Sequence, residues 1–359
     1  MRMISVQDAV EGLEVAKPIY DSKLSLLIRE GNALTDRTIE KLKAADVRHL
    51  YINDALSDGI FLEPLISEQL KFQAIAFMKK IYESQMADNH PNDNIPQITE
   101  DQIRTLRGMV DDVLTEIYAF QDKKYYSTEF LGAEVYHFDH AVEVMILSVL
   151  IGRKLGIDRE RLIKLGMGAV LADIGKSRVP QEILNKRGKL DEYEFATMKN
   201  HVDYSYGILK DLVELSPIAR QVIMLHHERL DGSGYPNGFI DDQIPLTARI
   251  VAVCDVFCAI VSDRTYNNRI SVDVAIEILR AASPVKLDAD VVHTLIQIVD
   301  IYPPGTIVEL SDGKIGIVVE NNVNSATRPI VRPVDDENTL LDLMKDLTLF
   351  IKKALPKLP

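Results

Sequence analysis

Between about residues 126 and 300 the chain carries helical periodicity and no strand alternation of any length, with Gly and Pro punctuating the runs. The candidate helices span 134–155, 159–173, 191–211, 216–228, 245–263, 271–282 and 288–300. Each carries an apolar face that must be buried against a neighbour, so the segment has to fold as a helical bundle.

The flanks read differently. Val15 to Tyr20 and Leu24 to Ile28 look like strands around an Asp21–Ser22 turn, Thr35 or Asp36 caps a helix through Ala45, and Val47–Ile52 is a further strand. Residues 1–60 thus form a small N-terminal α/β module. Residues 61–125 form a helical connector or input segment: Ile66, Leu70, Ala74, Phe77 and Ile81 keep helical spacing over 65–88, a turn-rich HPNDNIP stretch follows at 90–96, and a second helix runs from Thr99 to Phe120. The bundle occupies 126–303, and after Tyr302-Pro303-Pro304-Gly305 the segment 304–359 turns β-rich. Its strands are Thr306–Leu310, Ile315–Glu320 and Pro329–Arg332, and the closing LDLMKDLTLFIKKAL is open between helix and strand. The fold class is therefore mainly α with small β-containing ends.

A formal net charge of -13 argues against a nucleic-acid binder, because phosphate backbones require clustered Lys and Arg. A small anion remains compatible, since a few local cations suffice for it. The two cysteines, Cys254 and Cys258, read as buried small hydrophobes rather than a disulfide. The start lacks the apolar core of a signal peptide, and the stretch Val144–Ile151 is far short of the roughly 20 residues that span a bilayer. The expectation is a cytoplasmic protein without a membrane partner.

Of eight histidines, His140, His201, His226 and His227 fall at informative places, with Asp173 and Asp255 on other candidate helices. Imidazole and carboxylate together suit Fe, Mn, Zn or Ni. Four His and two Asp spread over several helices are what a dinuclear centre inside a bundle requires. His49, His90, His137 and His293 read as structural residues.

The string His226-His227-Glu228-Arg229-Leu230-Asp231-Gly232-Ser233-Gly234-Tyr235-Pro236-Asn237-Gly238 carries every fixed letter of the HD-GYP signature HHExxDGxGYPxG, and the chain over roughly 126–305 resembles that family. The His140 helix, Asp173-Ile174-Gly175-Lys176, the stretch from Val179 to Lys186, Met198-Lys199-Asn200-His201, the helix around Asp255 and Asp263-Arg264-Thr265-Tyr266 match further landmarks in order. Residues 1–55 look like a module found in some members.

The resemblance implies an HD-type bundle and a cyclic di-GMP phosphodiesterase giving pGpG and GMP. It implies two divalent transition metal ions, Fe or Mn. Asp173 would bridge them, His201, His226 and His227 would complete one shell, and His140 and Asp255 would serve the other. Asp173 and Lys176 would be the catalytic pair. Lys176 and Arg264 would hold phosphate, and Asp231, Gly234, Tyr235 and Pro236 would shape the substrate pocket. Signalling proteins such as a diguanylate cyclase, and a second copy of the chain, are the implied partners.

The sequence also departs from the family pattern. Ala172 replaces the first letter of the His-Asp pair, which removes an imidazole from the metal served by His140 and Asp255. Tyr136 stands where some members place a third-metal Glu, Cys258 stands where an Asp is usual, and Asn267 stands where a basic residue often follows. Two readings follow: a phosphodiesterase with a modified metal site, or an impaired domain acting as a cyclic di-GMP receptor or protein-interaction module.

Overall fold

The computed structural model describes residues 1–21, 23–86, 97–120, 123–126, 136–186, 188–262, 270–322, 325–336 and 338–358. The N-terminal module contains β1 (Arg2–Ser5), β2 (Glu14–Val15), β3 (Ile19–Tyr20), β4 (Leu26–Ile28), α1 (Asp36–Ala44) and β5 (His49–Asn53). An antiparallel sheet of order β1-β5-β2 lies beside the β3-β4 pair. Val15, Leu34, Leu42 and Ile52 fill its core. Thr35 caps α1 by accepting from the Thr38 amide, which satisfies one of the orphan donors of the first turn. The strand expected over Val15–Tyr20 is split between β2 and β3, and β1 has no counterpart in the expected pattern.

Helices α2 (Glu68–Gln85) and α3 (Glu100–Ala119) follow the spacing read from the sequence. They do not stand apart as a linker. Met78 and Ile81 of α2 and Val110 and Leu114 of α3 belong to the same apolar core as the helices after residue 136.

The bundle comprises α4 (Tyr136–Lys154), α5 (Arg159–Leu171), α6 (Gln181–Leu184), α7 (Glu192–Lys199), α8 (His201–Leu209), α9 (Pro217–Leu225), α10 (Leu246–Val261), α11 (Val272–Ala282) and α12 (Ala289–Ile298). From Phe138 to Ile151 α4 is buried on every side, the pattern of a central helix. It packs against α2, α5, α10 and α12. Ser216 caps α9, with Pro217 in the first turn, where a missing N–H costs nothing. The single helix expected over 191–211 is two: Asn200 ends α7 and opens α8, so His201 becomes the first residue of a new helix.

The C-terminal sheet has the antiparallel order β10-β6-β7-β8-β9, built from β6 (Ile307–Leu310), β7 (Ile315–Asn322), β8 (Ser325–Pro333), β9 (Leu341–Asp342) and β10 (Ile351–Leu355). The ambiguous closing stretch supplies a strand at each of its ends. Among the described residues no helix is long and apolar enough to cross a membrane. Cys254 and Cys258 are buried and free, and burial pushes the Cys254 thiol up to about 12.

Candidate metal centre

Each of the six expected ligand residues comes from a different position in the bundle. His140 lies on α4, Asp173 in the turn after α5, His201 at the start of α8, His226 and His227 just after α9, and Asp255 on α10. One group of donor atoms, from Asp173, His201, His226 and His227, lies within 4.8 Å of one another, and so does a second, from His140, Asp173 and Asp255. Asp173 is common to both groups.

Local chemistry explains why these side chains meet. Gly175 lets the turn after Asp173 press onto α8: a Cβ there would lie 2.1 Å from the His201 carbonyl oxygen. The buried Ser205 hydroxyl donates to the Ala172 carbonyl (2.7 Å) and accepts from the Gly175 amide (2.8 Å), pinning α8 to that turn. His201 Nδ1 donates to the Met198 carbonyl (2.7 Å), and His226 Nδ1 donates to the Ile223 carbonyl (2.9 Å). Those bonds fix the tautomer, so each Nε2 presents a lone pair. His201 Nε2 sits 3.2 Å and His226 Nε2 3.7 Å from Asp173 Oδ1.

These three atoms are buried and have no hydrogen-bond partner. Two imidazole lone pairs and a carboxylate oxygen facing one another repel unless a cation lies between them. The donor set therefore fits a metal ion of the transition series. In the second group His140 Nε2 lies 3.0 Å from Asp255 Oδ1, and His227 Nδ1 lies 3.7 Å from Asp255 Oδ2. Ala172, 4% exposed at the end of α5 and next to Asp173, brings no donor atom.

The electrostatics agree with ligand chemistry. Burial alone would raise the Asp173 carboxyl, but the Lys176 ammonium beside it holds it well below the usual range. Asp255 is likewise held far down against burial, by the His140 hydrogen bond. Burial pushes His201 and His227 below the ordinary imidazole value, which keeps them neutral at physiological pH.

The remaining expected residues fall as follows. Lys176 Nζ lies 2.7 Å from Asp173 Oδ2, at the edge of the cluster. The Tyr235 ring stacks on His227 at 4.7 Å between centroids and stands edge-on to His201, forming a wall of the site. Gly234 is required by close approach, because a Cβ would lie 2.4 Å from the Arg229 amide nitrogen. Pro236 is exposed, and the exposed Asp231 turns its carboxylate onto the Ser233 amide and hydroxyl, within the loop itself. Arg264 and Asn267 lie outside the described residues, as does His90; Tyr136 opens α4. Neither His49 on β5 nor His293 on α12 joins the cluster, and His293 meets Gln297.

The sequence reading assigned no role to Glu228. Buried at 2% exposure, its carboxylate accepts from the Asn237 amide (2.8 Å) and the Phe239 amide (3.1 Å) and so closes the loop beneath Tyr235. An acidic residue directly after two adjacent histidines was the available signal.

Residues 130–291 match the model of the HD domain family, and residues 307–357 match that of a KOW domain associated with HD domains. Over 200 residues the chain is 36% identical to a cyclic di-GMP phosphodiesterase of Pseudomonas aeruginosa, a match covering 56% of this chain and 48% of the relative. It is 41% identical over 133 residues to the cyclic di-GMP phosphodiesterase response regulator RpfG of Xanthomonas campestris, covering 37% of this chain and 35% of that protein. It is 35% identical over 168 residues to 3′3′-cGAMP-specific phosphodiesterase 3 of Vibrio cholerae, covering 47% of this chain and 36% of that one. The chain thus spans about half the length of these relatives, or less. The bundle is an HD domain, the class that the helices and the His/Asp cluster define. Within that class, residues 226–238 keep every fixed letter of HHExxDGxGYPxG, so the matched segment resembles the HD-GYP domains.

Proposed function

We propose that the chain hydrolyses the phosphodiester bonds of cyclic di-GMP to pGpG and on to GMP. The observation that supports this most is the shared position of Asp173, whose carboxylate belongs to both donor groups. His201, His226 and His227 would hold one divalent ion with Asp173, and His140 and Asp255 would hold the other with the same carboxylate. Fe and Mn suit this mixture of imidazole and carboxylate. Bound there, such ions polarise a phosphodiester and supply hydroxide at neutral pH.

The protein's own groups prepare the site. Neutral His201 and His227 keep their lone pairs available, and the hydrogen bonds to Met198 and Ile223 hold two of the rings in place. Lys176, one helical turn from Asp173, can exchange its carboxylate partner for a substrate phosphate oxygen and hold it as a point charge. Tyr235 and the loop tied down by Glu228 wall off the cluster on one side. The names of the relatives above point to the same substrate class, with cyclic di-GMP in two and 3′3′-cGAMP in the third. A cytoplasmic setting, a diguanylate cyclase partner and pairing of two chains belong to this same reading.

The test is incubation of the Mn²⁺-loaded chain with cyclic di-GMP and, separately, 3′3′-cGAMP, with products separated by chromatography. Accumulation of pGpG followed by GMP is expected. Binding of cyclic di-GMP without any linear product would instead establish the receptor reading.

A further inference from the structure

Helix α2 lies outside the span that matches the HD domain, yet polar side chains on its buried face meet α4, which carries His140, and the turn that follows Asp173. Lys71 is 4% exposed; its Nζ lies 2.9 Å from Asp139 Oδ1 and is hydrogen-bonded to Glu143 Oε1. Both carboxylates stand on α4, Asp139 next to His140 and Glu143 one turn further on. Towards the end of α2, the Tyr82 ring meets Phe138 edge-on at 5.2 Å, and buried Gln85 accepts from Arg178 Nη2 (3.3 Å) in the turn that follows Asp173. At its start, Glu68 pairs with Lys17 of the N-terminal module at 2.9 Å.

A buried ammonium is tolerated only when paired, and two carboxylates four residues apart on one helix face repel each other. Burial alone would discharge Lys71, but Asp139 and Glu143 hold its pKa above the ordinary lysine value, so it stays cationic. The same carboxylates face α10: the thiol of Cys258, one turn beyond Asp255, is pushed up by burial and then by Glu143. The ion triad therefore sits on α4 directly beside His140.

We propose that Lys71 is a positioning residue for the metal site, fixing the rotation of α4 so that His140 faces Asp255 and Asp173. The proposal rests on the reading above only in taking His140 as a ligand. Through α2, the functional unit begins before residue 130, and the N-terminal module is connected to the metal site by the Lys17–Glu68 pair.

The test uses the full chain, stripped of metal and titrated with Mn²⁺ while the free-ion EPR signal is followed, alongside thermal unfolding. Lys71→Met should lower Mn²⁺ affinity by about 10- to 100-fold, the usual effect of losing a group that orients a ligand. Lys71→Arg, which keeps the clamp, should stay near the parent. The neutral triple variant Lys71→Met/Asp139→Asn/Glu143→Gln relieves the unpaired charges; it should regain the parental melting temperature while Mn²⁺ affinity stays low, and it carries the test if Lys71→Met does not fold. Parental affinity in the triple variant would overturn the proposal by reducing Lys71 to a charge neutraliser, and unchanged affinity in Lys71→Met would overturn it directly. Absence of cyclic di-GMP turnover in the parent would defeat the functional reading and leave this comparison intact.

Discussion

Replacing Ala172 with His puts the position at the junction of two opposing energies. Ala172 is 4% exposed, with its carbonyl already bonded to Ser205, so the larger ring must displace packed neighbours. Overpacking of this kind costs about 1–3 kcal/mol. For a chain of this size that lowers the melting temperature of the metal-free protein by about 1–2 °C per kcal/mol. Against this, the group of His140, Asp173 and Asp255 gains a fourth donor. Even an outer hydrogen-bond partner of a ligand changes metal affinity about 10- to 100-fold, and a direct ligand contributes at least that, or about 1.4–2.8 kcal/mol. The variant should therefore melt lower without metal, bind a second ion more tightly and turn over cyclic di-GMP faster. Dialysis against limiting Mn²⁺ followed by elemental analysis counts ions per chain, and calorimetry gives the melting temperatures. Equal ion content in parent and variant, with the metal-free variant destabilised as expected, would refute the claim that position 172 limits the second group.

Three further outcomes follow from the same geometry. Glu228→Gln keeps one acceptor but sets an NH₂ group against a backbone amide, so it should cost about 1–3 kcal/mol in urea unfolding and raise KM as the Tyr235 loop loosens; unchanged KM and stability would count against the loop tether. Gly175→Ala forces a Cβ towards the His201 carbonyl and should cost about 1–3 kcal/mol or more while weakening Mn²⁺ binding, whereas a neutral result would show that the turn and α8 are less tightly joined. The metal-free chain should lose stability on acidification. His201 and His227 have folded pKa values below the ordinary imidazole value of 6.5, so below about that pH the unfolded chain takes up protons that the folded chain refuses, and Asp173 and Asp255 add the same sign of effect below 3.8. The urea midpoint should fall between pH 7.5 and pH 5.5, with a smaller fall in His227→Gln; a higher midpoint at pH 5.5 would contradict the assignment of buried neutral rings.

The elements most legible in the sequence were those with a local signature. The periodicity of α2 and α3 and the cap at Thr35 mark helices through nearest neighbours along the chain. His226 and His227 stand out because two neighbouring residues seldom both need imidazole for packing. What was not legible depends on distant contacts. Asn200 breaks 191–211 into two helices without Gly or Pro, and the break is secured by Ser205 reaching the turn after α5. The short strand β1 forms because β5 pairs with it across almost fifty residues. Lys71 in isolation reads as a solvated lysine on an amphipathic helix, and only the packing of α2 on α4 shows it to be buried between two acids. That the Tyr235 ring lies on His227 likewise shows only in the fold.

Asp173→Ala, examined for Mn²⁺ content and cyclic di-GMP hydrolysis together, bears most directly on the shared carboxylate, since it removes the one group common to both donor sets. The expected result is loss of bound Mn²⁺ and of linear product in a chain that still unfolds cooperatively. A folded Asp173→Ala chain that retains its ions and still forms pGpG would contradict the account.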